Sequence, residues 1–140
     1  MSNRYNFYLI LLFCLTICGK ICTQSKARRA TFKMFVYLSG PVTGIDDYAE
    51  RFNKAQEAVS GKGYDPVSPI SVVALRGSIF TWSDCMKVCI SLMEKCDCMV
   101  MLDGWRTSVG ARIEHAWAEK IGLPVYDGTD SLPNAGRNIG

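Results

Sequence analysis

Acidic residues are missing from the first 33 positions, and histidine is nearly missing from the whole chain, which holds one in 140 residues. A single histidine, together with seven cysteines of which no two form a CxxC pair, excludes the usual Cys/His metal arrangements. No GxGxxG fingerprint and no GxxxxGK[ST] loop occurs, so neither the dinucleotide motif nor the P-loop applies. No apolar run is long enough to span a bilayer comfortably; the longest, Tyr8 to Cys18, has the length of a signal-peptide core. Six of the 16 basic residues fall in the acid-free segment, which leaves ten against 13 acidic residues from Met34 onward. The remainder is mildly acidic, and a nucleic-acid partner loses its electrostatic footprint.

What is present suits one folded domain. The chain is 49% hydrophobic and long enough for a single core. Residues 1–33 stand apart as an apolar and basic extension, with no small-x-small cleavage site after the apolar run. Three explanations are open: a signal or anchor, a basic membrane-surface arm, or an upstream extension with Met34 as the true start. The last implies a cytoplasmic protein, whereas a retained extension implies membrane association or export.

From Met34 the pattern alternates strand and helix. Met34 to Leu38 is a short apolar and β-branched run stopped by SGPVTG. Asp46 or Asp47 opens a helix with Tyr48, Phe52, Ala55 and Val59 on one face, ended by Gly61 and Gly63. Tyr64 to Val67 gives a second strand, and 70–80 reads as loop with at most a helical turn. Thr81 or Ser83 caps the next helix, where Cys85, Cys89, Leu92 and Cys96 share a face and Asp84 occupies the first turn. Cys98 to Leu102 is an uninterrupted apolar run, as expected of a central parallel strand. Pro124 to Tyr126 supplies a last strand. The order βαβαβαβ implies a doubly wound parallel α/β sheet of four to five strands, Rossmann- or flavodoxin-like. Domain bounds are expected at 34–128, with a flexible tail over 129–140.

The chemistry is expected in the helix opened by Ser108. Its hydroxyl can cap the first turn, whose free amides favour an anion. Arg112, His115 and Glu119 fall on a polar stripe, and Gly110, Ala111, Trp117, Ala118 and Ile121 on an apolar one. Glu114 falls on the apolar face, where an unpaired carboxylate is costly and its pKa is driven up. In a doubly wound sheet the loops SGPVTG and DGWRTS meet outside the strand ends, which brings Tyr37, Gly40, Ser108 and Glu114 into one crevice. Trp105, in a loop, is placed to stack on a base, and Trp117 is expected in the core.

The pieces YLSGPVTGI, Cys96 with Asp97, LDGW and SVGARIEHAWAEKIGLPV resemble a family of phage and bacterial domains of unknown function within the nucleoside 2-deoxyribosyltransferase-like superfamily. The resemblance covers about Met34 to Asp127. It implies a catalytic Glu114 supported by Tyr37, a sugar- and base-lining loop (Ser39, Gly40, Pro41, Gly44), and a phosphate-contacting Ser108 and Gly110, as in the deoxynucleoside 5′-monophosphate N-glycosidase branch. It also implies a small-molecule nucleoside or nucleotide substrate, no cofactor or metal, and a homo-oligomer. One position departs: where the superfamily carries an aspartate on the middle helix this chain has Cys89, so Asp103 is the candidate replacement acid. The expected function is attack on the N-glycosidic bond of a 2′-deoxyribonucleoside or its 5′-monophosphate through a covalent Glu114 intermediate. The alternative is a non-catalytic nucleotide-binding module of the same fold.

Overall fold

The structure is a computed structural model, and it describes residues 33–136. The 1–32 part of the expected N-terminal extension, and Arg137 to Gly140, lie outside the described residues. Strands β1 (Phe35–Ser39), β2 (Asp65–Val67), β3 (Cys98–Met101) and β4 (Val125–Asp127) form one parallel sheet in the order β2-β1-β3-β4. Helix α1 (Tyr48–Gly61) joins β1 to β2. The short α2 (Ile70–Val73) and α3 (Trp82–Met93) join β2 to β3, and α4 (Val109–Ile121) joins β3 to β4. This is the doubly wound, flavodoxin-like arrangement expected from the element order.

Stepping from β1 to β2 moves the chain one way across the sheet, and the later crossovers move it the other way. Right-handed crossovers then place α1 on one face and α2, α3 and α4 on the other. The core divides accordingly. Side chains alternate along β1, so Val36 and Leu38 pack with Phe52, Ala55 and Val59 of α1. Tyr37 packs on the opposite side with Cys85, Cys89, Met93, Ala111 and Ala118 of α3 and α4.

Local sequence explains the ends of the elements. Thr81 and Asp84 form a reciprocal capping box at the start of α3. Ser108 accepts from the Ala111 amide at 3.3 Å, and Gly122, at φ 73°, closes α4 in a left-handed cap. Asp97 accepts from the Phe35 amide at 2.7 Å and ties the entry of β3 to the first strand. Among the described residues no helix is long and apolar enough to cross a membrane.

Two expectations are corrected. Trp117 is not core: the buried stripe of α4 is Ala111, Glu114 and Ala118, while Trp117 and Ile121 are 36% and 44% exposed. Trp117 lies on the flank toward α3, where its Nε1 donates to Glu94 at 2.8 Å. The tail expected from residue 129 is docked as far as the described residues run. A 3₁₀ turn (Thr129–Ser131) leads to Leu132, buried against the α1 face. The Leu132 carbonyl accepts from Lys62 Nζ at 2.6 Å, and the Ala135 amide donates to the Lys62 carbonyl at 2.8 Å. One apolar residue in a Gly/Asn/Ser-rich run gives no periodicity, so the sequence carried no signal for it. Leu132→Ala is expected to destabilise the domain by about 2–4 kcal/mol, measurable by urea unfolding with circular dichroism.

Candidate functional site

The site is built from one strand and one helix. On the α3/α4 side of β1, Tyr37 and Ser39 are both fully buried, and the buried face of α4 meets them. Ala111 and Ala118 flank Glu114 on that face, and their small side chains let the helix lie close enough for a carboxylate to reach the strand. Tyr37 Oη donates to Glu114 Oε1 at 2.8 Å and Ser39 Oγ donates to Oε2 at 2.5 Å. Each carboxylate oxygen thus holds one hydroxyl.

Burial pushes the Glu114 carboxyl above its usual range, opposed in part by the bonds from Ser39 and Tyr37. The Tyr37 hydroxyl is driven well above the ordinary tyrosine value, first by burial and then by the charge of Glu114, so it remains a donor. Cys89 is buried nearby, and its thiol is pushed up to about 11, first by burial and then by Glu114. It is therefore neutral near pH 7.

Glu114 opens onto a cavity of about 530 Å³ at the carboxyl ends of the strands. One wall comes from the loop after β1 (Gly40 to Thr43), one from α2 and its loop (Pro69, Val73, Arg76), one from α3 and one from the first turn of α4. The walls are mostly apolar. Gly40 is required at its place because a Cβ there would sit 2.9 Å from Leu102 Cβ, where the loops after β1 and β3 cross.

The expected site residues divide into groups. Tyr37 and Ser39 meet Glu114 directly; Ser39, expected in the ligand-lining loop, is instead a buried residue of β1 outside the cavity lining, while Gly40, Pro41, Cys89, Ser108 and Gly110 line the cavity. Gly110 also makes room for α3, since a Cβ there would stand 3.3 Å from Met86 Sδ. Gly44, at φ 76°, serves a turn and is not part of the cavity lining. Asp103 is exposed and lines a different cavity of about 630 Å³ beside Phe52 and Arg51 on the α1 side. It is therefore not a neighbour of Glu114, because the residue after Leu102 turns away from the α4 face. Trp105 does not face the cavity either. It stacks on His115 with ring centroids 4.4 Å apart, donates to Asp127 at 3.2 Å and carries the Arg106 guanidinium over its ring.

Sequence reasoning missed Arg76, which lines the cavity and donates through Nη1 to Thr43 Oγ1 at 2.9 Å. It lies in the stretch 70–80, where no periodicity marks which side chains turn inward.

Residues 34–127 match the family described as Domain of unknown function (DUF4406). The chain belongs to this family. A search of the curated proteins finds no match. The DUF4406 domain therefore spans all four strands and both partners of the buried carboxylate.

Because folding favours the protonated carboxyl, Glu114 contributes its full stability below the ordinary glutamate range and loses it as pH rises through the raised folded value. Glu114→Gln keeps the shape and removes the charge. It is expected to melt about 5 °C above the wild type near pH 8, with the gap closing toward about pH 4, as read by melting curves across pH.

Proposed function

We propose that this DUF4406 domain acts on the N-glycosidic bond of a 2′-deoxyribonucleoside or its 5′-monophosphate. The observation that carries the reading is the uncompensated carboxylate. Among the described residues no cation pairs with Glu114; its partners are two neutral hydroxyls. An ionised carboxylate facing an apolar cavity is stabilised by a ligand that develops positive charge, as an anomeric carbon does in an oxocarbenium-like transition state.

In this mechanism a Glu114 oxygen attacks C1′ as the bond to the base breaks, giving a deoxyribosyl ester. Water or a second base then attacks C1′ and frees the carboxylate. Tyr37 and Ser39 orient the carboxylate without neutralising it. The first turn of α4, with its free Val109 and Gly110 amides, suits a 5′-phosphate.

A second reading rests on Cys89. A neutral thiol stands where the nucleoside 2-deoxyribosyltransferase-like superfamily that the sequence resembles carries an aspartate, which favours a nucleotide-binding module without catalysis. Free base released from deoxynucleoside monophosphates, followed by chromatography, separates the two. Release that falls at least about 10³-fold in Glu114→Ala supports the enzyme; binding without release, unchanged in Glu114→Ala, supports the module.

The proposal includes a second copy of the chain. Val109, Ile113, Trp117 and Ile121 form an exposed apolar stripe along α4, and Trp82, also exposed, lines the cavity with Val109. A copy docked on that face covers the cavity mouth and excludes water from it. Size-exclusion chromatography with light scattering is expected to report a dimer or larger assembly for wild type and a smaller species for Ile113→Glu.

A further inference from the structure

Arg76 is the only cation among the described residues that line the Glu114 cavity. No described carboxylate lies within ion-pair distance of it. Arg76 is exposed, and its backbone is set by the turn it begins. The Arg76 amide donates to the Val73 carbonyl at 3.0 Å, and the tight turn after it is closed by Gly77 donating to the Phe80 carbonyl at 2.9 Å. The guanidinium is steadied from across the cavity mouth by the Thr43 hydroxyl. A free arginine side chain is expensive to order. Holding one at a cavity mouth without an acid partner leaves its remaining donors for a ligand.

The strand order says which part of a ligand it meets. With β2 on one side of β1 and β3 on the other, the wall that follows β2 (Pro69, Val73, Arg76) and the wall that follows β3 (Ser108, Val109, Gly110) flank the end of β1. Glu114 is held between them by the β1 residues Tyr37 and Ser39. A nucleotide with its anomeric carbon at Glu114 and its phosphate at the first turn of α4 therefore directs its base toward Arg76.

We propose that Arg76 binds the leaving base and stabilises the negative charge that the base acquires as the glycosidic bond breaks. The inference rests on the N-glycosidic reading above. As a Glu114 oxygen bonds to C1′, the C1′–N electron pair passes to the base nitrogen. The base departs as an anion against the guanidinium and then takes a proton from water. No protein acid is consumed, which suits a cavity in which the neighbouring Cys89 is a neutral, buried thiol. A guanidinium only donates hydrogen bonds. Its partner is therefore a base whose outer edge presents carbonyl oxygens, such as a dioxopyrimidine, in which the departing charge spreads onto those oxygens. An aminopurine such as adenine offers that fork a donor and is disfavoured.

The test separates binding from turnover. Calorimetry on Glu114→Gln, with and without Arg76→Ala, uses deoxyuridine 5′-monophosphate, deoxyadenosine 5′-monophosphate and 2-deoxyribose 5-phosphate. Arg76→Ala is expected to weaken the uracil nucleotide about tenfold or more and to leave the base-free sugar phosphate unchanged. Equal loss on both places Arg76 at the phosphate and overturns the proposal; so does no loss on either, or no binding of any probe. In turnover with Glu114 intact, Arg76→Ala is expected to slow release of uracil by about 10–100-fold and to slow release of 5-fluorouracil, a better leaving group, by much less. Equal slowing of both overturns the role at the leaving group. If the wild type binds nucleotides and releases no base, the glycosidic reading fails and the catalytic role of Arg76 with it; the calorimetry still decides whether Arg76 reads the base. Thr43→Val, which frees the guanidinium without removing it, is expected to give a smaller loss in the same direction, and an effect larger than that of Arg76→Ala counts against the proposal.

Discussion

A carboxylate taken out of water is the constraint around which this domain is arranged. Glu114 contributes its charge to a place where charge is unfavourable, and the structure meets that cost with two hydroxyls rather than with a cation. The choice has consequences for the fold. It needs a tyrosine and a serine two residues apart on a buried strand, so that both project to the same face. It needs a helix lined with alanine at the neighbouring turns, so that the backbone comes near enough. It also needs that helix to begin beside the end of the strand, which the order β2-β1-β3-β4 secures. An arginine in place of the hydroxyls would hold the carboxylate more firmly, but it would also neutralise the charge that the proposed mechanism uses.

The two faces of the sheet divide the labour. The α1 side holds an apolar core of Val36, Leu38, Phe52, Val59 and Val100, to which Leu132 adds from beyond the last strand. The α3/α4 side holds the sulfur-rich and polar groups: Cys85, Cys89, Met93, Met99 and Met101 around Tyr37. Methionine and cysteine are soft and adaptable fillers, and the Glu114 cavity opens on this side.

Much of this was legible in the residues. The glutamate was found because a charge on the apolar face of a helix contradicts the pattern, and the serine cap because it precedes a run of small residues. Tyr37 and the crevice followed from topology. What stayed hidden depends on tertiary paths with no local signature. Arg76 lies in a segment without periodicity, and a single loop bond to Thr43 decides its direction. Leu132 is one apolar residue in a polar run. Trp117 and Asp103 show the opposite error, in which residue type suggested a place that the neighbouring helix and the turn after Leu102 do not allow. Trp105 was read as available because it is a loop aromatic, yet His115, nearly two turns into α4, stacks on its ring.

Gly40 and Glu114 answer to different physical demands. The Leu102 side chain leaves no room for a Cβ at position 40 whether or not anything binds nearby, so packing alone accounts for the glycine. Glu114 behaves the other way. Burial works against its charge, and a glutamine of the same shape would fill its place without that cost. Shape accounts for the glycine at position 40 and leaves the charge at position 114 unaccounted for.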